Sequence, residues 1–592
     1  MEVISNNKMN GSAMLVEALH LEGVKVIFGY PGGAVLNIYD EIYKQSYFRH
    51  ILTRHEQAAI HAADGYARAS GKVGVAIITS GPGFTNAVTG IATAFTDSIP
   101  LVIISGQVPL TQIGSDSFQE IDAVGISRPC TKHNYLVQNI HDLPRILKEA
   151  FYIARSGRPG PVLVDIPKDI SAQVADFHYP NSISLASYKP TTKGNIRQIK
   201  KLANIILESR NPLFYIGGGA VISDSYDEIK TLLEITQIPS VETLMARGVT
   251  QGNPNFLGML GMHGTYSANM ATSECDLLIC LGARFDDRVT GKVSEFAKFA
   301  KIAHIDVDPS SIGKIIDVNY PIVGDLKLIL HDLITELQDK LPKEEILKER
   351  EIWITKLKKW NNIHPLRYED CENTESSCIV KKEGKSIKPL LKPQWVIEET
   401  GRILGDKVII TTDVGQHQMW VAQFYPFTAK RQFITSGGLG TMGFGMPANM
   451  GVYVALEEIK KEYGIEKVAL SFNGDGGILM NIQELMTCVE SRIKTINIIL
   501  NNGYLGMVKQ WQDFFYEKRL SHVDLTQPNF TLLAQSFGAL GLEAHTKEEF
   551  QEVLQIALES DKVSLINVWV DRDEIVLPMV PGGNPLYKMI LE

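Results

Sequence analysis

Short, unbroken apolar runs alternate with stretches of helical periodicity along almost the whole chain. Three come early: "VGVAIITS" (73–80), "PLVIISG" (100–106) and "PVLVDIP" (161–167). Three follow in the middle: "NPLFYIGGG" (211–219), "DLLICLGARF" (276–285) and "IAHIDVDP" (302–309). The last set is "KVIITTDVG" (407–415), "KVALSFNGDGG" (467–477), "TINIILNNG" (495–503) and "VSLINVWV" (563–570). Strands exposed on one face alternate apolar with polar residues; these runs do not, so they predict parallel strands buried on both faces. Three clusters of strand–helix alternation predict an α/β protein of three doubly wound parallel-sheet domains, at 1–185, 190–342 and 394–592. The interval 343–393 differs. It opens with a charged helix, "KEEILKEREIWITKLKKWNN", and continues as "YEDCENTESSCIVKKEGKSIKP", polar and without period. It is expected to be a charged surface linker.

Composition narrows the partners. With 592 residues, a formal net charge of −9 and a pI near 5.9, neither nucleic acid nor an anionic membrane is an expected partner. No apolar run approaches the ~20 residues of a membrane span. A helical pattern (Met14, Leu15, Ala18, Leu19) starts almost at once, with neither an apolar signal core nor an Arg/Ser-rich presequence ahead of it. The six cysteines form no CxxC pair and no metal spacing. Cys275, Cys280 and Cys488 sit in apolar or helical stretches, as small buried hydrophobes would.

The candidate chemistry begins at "FNGDGG" (472–477). Asp475 follows a predicted strand, where open α/β sheets bind ligands. Asn502 ends the next one, "TINIILNN". In a parallel βαβ unit those strand ends lie side by side, so a carboxylate and a carboxamide oxygen can face one ion. Such a hard oxygen set suits Mg²⁺, which completes its shell with phosphates and water. Taken singly, Asp475 reads as a helix N-cap and "NNG" as a turn; the pair at this spacing favours the metal. "GGLGTMG" contains GxGxxG from Gly438 to Gly443, but no acidic strand end follows it, so a dinucleotide site is not expected there.

"GDG" followed after 24 residues by "NN" resembles the thiamin-diphosphate binding motif. The resemblance implies Asp475 and Asn502 as side-chain ligands of Mg²⁺ and Tyr504 as a backbone-carbonyl ligand. Thiamin chemistry also needs a carboxyl group against N1′ of the cofactor's aminopyrimidine. "TRHEQAAIHAADGYARASG" (53–71), followed by "ITSGPGFTNAVTGIATAFTDSIPLVIISG", resembles the pyrimidine domain of the same enzymes and implies Glu56 for that role. In the family, Glu56 and the metal site at one cofactor come from two subunits, so a homodimer is the minimum unit and a tetramer stays open. The resemblance further implies Met442 beneath the cofactor, and Gly415, Gln416, His417, Gly440, Gly476, Gly477 and Pro31 around it.

Windows in all three domains resemble the acetohydroxyacid synthase (acetolactate synthase) catalytic subunit: "GQVPLTQIGSDSFQE", "LGMLGMHGT", "GARFDDRVTGK", "HIDVDP" and "NNGYLGMVKQWQ". That family holds FAD in its central domain, which implies contacts from Arg158, Gly217, Gly218, Met262, His263, Arg284, Asp306 and Asp325. The implied reaction decarboxylates pyruvate and joins the two-carbon fragment to a second pyruvate or to 2-ketobutyrate. Arg288 is expected at the second substrate's carboxylate and Trp511 along its side chain. Gln119, Phe118, Lys168 and Pro109 are expected at the entrance, where herbicides bind in the family. Leu110 and Thr111 stand where plant relatives carry two basic residues. The family also implies a small regulatory subunit. Many Ile, Asn and Lys residues and no presequence fit a bacterial cytoplasm or a plastid stroma, the second slightly favoured. Rival readings are a flavin-containing pyruvate oxidase, a flavin-free thiamin decarboxylase and a non-catalytic scaffold.

Overall fold

The computed structural model describes residues 8–250, 252–369, 381–382, 385–386 and 391–592. Cys371, Cys378 and most of the polar half of the expected linker lie outside those residues. The chain forms two compact units. The first comprises Met1–Tyr188, Lys407–Gly415 and Ile434–Trp569; the second comprises Lys189–Asp406, Gln416–Phe433 and Val570–Glu592.

The first unit carries two six-stranded sheets. In spatial order one runs Arg49–Leu52, Val26–Gly29, Gly74–Ile78, Leu101–Gln107, Val162–Pro167, His133–Leu136. The other runs Phe433–Thr435, Val408–Thr412, Val468–Gly474, Ile496–Asn501, Ser564–Trp569, Leu540–Ala544. Numbered along the chain within each sheet, both follow the order 2-1-3-4-6-5, so the two halves share a topology. Every residue of Gly74–Ile78, Leu101–Gln107 and Val162–Pro167 is buried, as continuous apolar runs require.

The two sheets of this unit meet through a pair of helices, Glu56–Ser70 and Gly445–Tyr463. Where they touch, Ala62 and Gly65 of one helix lie against Gly451 and Ala448 of the other. A Cβ at Gly451 would fall onto the Ala62 carbonyl oxygen, and one at Gly65 onto the Ala448 carbonyl oxygen. Backbone therefore packs on backbone, which only glycine permits. A buried ion triad lies beside them. Arg68 donates to Asp64 at 2.6 and 3.2 Å, to Asp97 at 2.9 Å and to the Thr435 carbonyl at 2.9 Å.

The second unit holds one six-stranded sheet, ordered Phe256–Met259, Ser240–Glu242, Pro212–Ile216, Leu277–Leu281, Lys301–Asp306, Tyr320–Val323. Its order is 3-2-1-4-5-6, that of dinucleotide-binding folds, and not that of the other two sheets. The charged helix expected near 343 is present as Glu344–Ile363, but it is more than linker. Ile346, Arg350, Trp353 and Leu357 are buried along one stripe, and Trp353 and Leu357 enter the same apolar cluster as Leu278 and Cys280. Arg350 donates to the carbonyls of Ser209, at 3.1 Å, and Ile206.

Cys275, Cys280 and Cys488 are buried free thiols. Among the described residues no helix is long and apolar enough to cross a membrane.

Candidate active site

Parallel register sets the loop that carries Asp475. Gly474 pairs with Leu500, so Asp475, one residue on, lies beside the strand end that leads to Asn501 and Asn502. Asp475 is only 2% exposed. Its carboxyl accepts backbone N–H groups from its own loop and from Gly503, and the carboxamide of Gln527 donates to it. Burial outweighs these donors and pushes the Asp475 carboxyl up to about 7. Asn502 accepts the Tyr504 N–H at 3.0 Å across Gly503, whose φ of 70° is left-handed. Residues 503–505 then pair antiparallel with 523–525: the Leu505 N–H reaches the Val523 carbonyl (2.8 Å), and the Leu525 N–H reaches that of Gly503 (2.9 Å). That pairing delivers Gln527 to Asp475. The carboxamide oxygen of Gln527 is buried and has no partner, next to a carboxylate already displaced from its ordinary pKa. An oxygen donor set with an unsatisfied carbonyl fits a hard divalent cation. Among the described residues no three His, Cys, Asp or Glu cluster to hold a metal by themselves, so such an ion would take its remaining ligands from phosphate and water.

Met442 stands beside this loop. A Cβ on Gly476 would meet Leu505, Leu525 and, at 3.9 Å, the Met442 methyl group. The Met442 segment is fixed from several sides. Asp413 accepts the Gly443 N–H at 2.9–3.0 Å and packs on Gly477. Asn481 donates to the Gly443 carbonyl at 2.7 Å. Thr441 joins Thr93 at 2.7 Å. Burial pushes the Asp413 carboxyl up to about 6. Gly440 and Gly443 both take left-handed φ values, 69° and 87°. Asp413, Asn481 and Gln527 carry no sequence motif, so sequence reasoning missed them.

Glu56 begins the helix Glu56–Ser70 and is 7% exposed. Asn86 donates to its Oε2 at 3.0 Å, and a Cβ on Gly83 would lie 3.2 Å from its Oε1. Gly32, next to the exposed Pro31, packs on Thr79, whose buried hydroxyl has no partner. Farther along the same sheet edge, Gly81 packs on Gln119, held at a φ of 60°. Phe118 is 88% exposed. Lys168 opens a short helix after Val162–Pro167, and the next residue, Asp169, accepts the Leu110 N–H at 3.1 Å, which brings Pro109 near Lys168. Trp511 is half-buried on the helix Gly506–Phe515. Arg158 belongs to this unit, its Nε donating to Ser98 at 2.8 Å. Gly415 follows the strand Val408–Thr412.

In the second unit, Gly217 and Gly218 follow the strand Pro212–Ile216, and Gly217 packs against the Gly282 carbonyl. Asp306 ends its strand and accepts the Asp308 N–H at 2.8 Å, while Asp325 caps the helix Leu326–Leu337. Arg284 is exposed beyond Leu277–Leu281. These residues gather at the carboxyl ends of the strands, the ligand side of such a sheet. Met262 and Arg288 adjoin through a 2.7 Å backbone bond. Burial pulls the His263 imidazole down to about 4. Gln416 and His417 start the helix Gln416–Phe424, with Gln416 donating to the Glu574 carbonyl at 3.2 Å.

Comparison with known proteins accounts for this arrangement. Residues 9–126 match the thiamine pyrophosphate enzyme N-terminal TPP binding domain, residues 199–333 the central domain, and residues 413–568 the C-terminal TPP binding domain. The fold is thus that of a thiamine-pyrophosphate-dependent enzyme. Among individual relatives, the chain is 44% identical to the acetolactate synthase isozyme 3 large subunit of Escherichia coli, over 98% of each chain. It is 45% identical to a probable acetolactate synthase large subunit of Methanocaldococcus jannaschii, over 98% of this chain and 95% of that one. With the acetolactate synthase large subunit of Pyropia yezoensis it shares 42% identity, over 99% and 96%. The chain belongs to the acetolactate synthase large-subunit family.

Proposed function

We propose that the chain is the catalytic subunit of an acetolactate synthase. It decarboxylates pyruvate on thiamin diphosphate and transfers the two-carbon fragment to a second pyruvate or to 2-ketobutyrate, giving 2-acetolactate or 2-aceto-2-hydroxybutyrate for branched-chain amino acid synthesis. The observation that carries this reading is the set of Asp475, Asn502 and Met442, assembled at adjacent strand ends in a chain of this family.

When bound, thiamin diphosphate supplies a thiazolium carbon that adds to a keto group and accepts the electrons released by decarboxylation. The chain's own residues hold it and tune it. Asp475, Asn502 and the Tyr504 carbonyl would hold Mg²⁺, and Gly476 and Gly477 would leave room for a diphosphate beside it. Met442 would pack beneath the cofactor. Glu56, held by Asn86, would stand against the aminopyrimidine N1′, where its carboxyl could hold or release a proton. Pro109, Phe118, Gln119 and Lys168 lie on one sheet edge and form the substrate entrance. Arg288, exposed on its unit, offers a bidentate partner for a keto acid carboxylate. Trp511 offers an apolar wall that favours the larger acceptor.

The 3-2-1-4-5-6 sheet, with Gly217, Gly218, Asp306 and Asp325 at its strand ends, supports FAD as the ligand of the central domain. The spans 1–185, 190–342 and 394–592 are the pyrimidine, flavin and diphosphate domains. A homodimer is the minimum active form, a small regulatory subunit its partner, and a bacterial cytoplasm or plastid stroma its compartment.

The test supplies the purified chain with thiamin diphosphate, Mg²⁺, FAD and pyruvate, without an electron acceptor. Acetolactate is expected, with aceto-hydroxybutyrate dominating once 2-ketobutyrate is added. Acetaldehyde alone, or no product until phosphate and oxygen are supplied, would overturn the assignment of the reaction.

A further inference from the structure

Glu484 has no part in the reading above. It opens the helix Glu484–Ser491 and is fully buried. Its two carboxylate oxygens accept the Arg54 backbone N–H at 3.0 and 3.2 Å, and one also accepts the Thr487 hydroxyl at 2.7 Å. The His55 backbone N–H bonds to it as well. The Thr487 hydroxyl lies 3.3 Å from the Leu52 carbonyl, and the Arg54 side chain reaches Glu490 at 2.6 Å. One short stretch of the diphosphate-binding half thus holds Leu52, Arg54 and His55 of the link, while Thr53 bonds to the Gly29 carbonyl. That link joins the strand Arg49–Leu52 to the helix whose first residue is Glu56.

We propose that Glu484 is a positioning residue for Glu56, fixing the backbone of Arg54 and His55 and so the place where the Glu56 carboxyl stands. The inference rests on the reading of Glu56 as the group that activates thiamin diphosphate. Glu56 is a terminal helix residue, so its direction depends on the link before it. His55, the N-cap, is extended (φ −153°, ψ 141°), and its ring nitrogen accepts the Gln57 N–H at 3.1 Å. A small rotation there swings Glu56 away from Asn86 and Gly83. The Arg54 and His55 N–H groups precede the helix, so helical bonds do not satisfy them. A buried carboxylate is a poor choice for stability alone, since an apolar side chain of its size avoids the desolvation. Burial indeed pushes the Glu484 carboxyl up to about 7. What the carboxylate adds is several acceptor sites for donors that would otherwise be buried and unpaired.

Two variants separate placement from general loosening. Glu484→Asp keeps the charge but withdraws it by one methylene, while Glu484→Gln keeps the length and one acceptor oxygen. Each is loaded with Mg²⁺ and thiamin diphosphate beside wild type and Glu56→Gln. Hydrogen–deuterium exchange at the cofactor's C2 and cofactor affinity are then measured. Glu484→Asp is expected to slow exchange at least tenfold with affinity within threefold of wild type, and Glu484→Gln to restore exchange to within threefold. Unchanged exchange in Glu484→Asp overturns the proposal. So does an equal fall in exchange and affinity, or a Glu484→Gln variant as slow as Glu484→Asp. Wild-type exchange in Glu56→Gln would instead remove Glu56 from its role, and the inference with it. Slow Glu56→Gln beside normal Glu484→Asp would sink the positioning role alone.

Discussion

The buried triad of Arg68, Asp64 and Asp97 ties the fold to the cofactor loop, and Arg68→Met tests that tie. Methionine keeps the apolar stem beside Phe444, over whose ring the guanidinium stands at 5.4 Å. It removes four charged hydrogen bonds, at 2.6, 3.2, 2.9 and 2.9 Å. Both carboxylate side chains are fully buried, so water does not replace what is lost. Breaking a buried pair of this kind costs about 3–5 kcal/mol, which should lower the thermal midpoint of the cofactor-free chain by about 2–4 °C. The loss should reach the site as well. Asp97 accepts the N–H groups of Gly437 (3.1 Å) and Gly438 (2.7 Å), at the start of the turn that leads to Met442. Thiamin diphosphate affinity should fall about tenfold, or 1.4 kcal/mol by the usual conversion. The sign of the pH dependence follows from Asp64. Burial pushes its carboxyl up and the guanidinium opposes that push; without Arg68 only the upward push remains. The folded variant then holds a proton that the unfolded chain releases near pH 4, so its stability falls as pH rises. The deficit should be larger at pH 8 than at pH 5.5, and Asp64→Asn added to Arg68→Met should recover at least half of it at pH 8. A deficit below 1 °C, or one equal at both pH values, would refute the reasoning.

Three other perturbations follow from the same geometry. Gly451→Ala should abolish soluble expression or lower the thermal midpoint by more than 5 °C, because the new Cβ meets the Ala62 carbonyl; a midpoint within 1 °C of wild type would show that the helix pair can separate freely. Asp165 is buried with Gln107 donating to it at 3.0 Å and the charge of Asp122 nearby, and its carboxyl is pushed up to about 7. Wild-type stability therefore falls as pH rises from about 4 to 7 on account of this group. Asp165→Asn should flatten that slope and be the more stable form at pH 8, by up to several kcal/mol; parallel melting profiles at pH 5 and pH 8 would contradict this. Gln527→Ala removes the carboxamide beside Asp475 and should weaken Mg²⁺ binding in the presence of thiamin diphosphate by about 10–100-fold; unaltered Mg²⁺ titrations would make Gln527 a bystander.

What the sequence disclosed follows from the range over which each feature is encoded. Buried parallel strands are local: "VGVAIITS" or "PVLVDIP" cannot hide a solvent face, so their place in a two-sided sheet is visible at once. The juxtaposition of Asp475 and Asn502 is nearly as local, since they follow consecutive strands that pair directly. The amphipathic stretch "ILMNIQELMTCVESR" (478–492) shows the limit. It breaks into Asp475–Ile478, Leu479–Asn481 and Glu484–Ser491, because Asn481 turns to the Gly443 carbonyl and Glu484 to the link before Glu56. Both partners lie far along the chain, and no periodicity announces them. The helix Glu344–Ile363 misleads for the opposite reason: its charge is evident, while the stripe Ile346, Arg350, Trp353, Leu357 that anchors it is narrow.

The same distinction explains the residues that motif reading missed. Gln527 reaches Asp475 only because 523–525 pairs with 503–505, and Asp413 reaches Gly443 across the sheet. A motif marks the groups that touch the cofactor, which must have one identity at one spacing. The groups that hold them need only present an acceptor or donor at the right point in space, and any strand or loop can supply it. Glu484, Asp413 and Asp97 share that logic. Each is a buried carboxylate that accepts backbone N–H groups within a few residues of one expected at the cofactor, and each accepts the cost of desolvation for a fixed backbone. Their substitution should therefore cost catalysis by displacing those backbone segments, even though every group expected to touch the cofactor is retained.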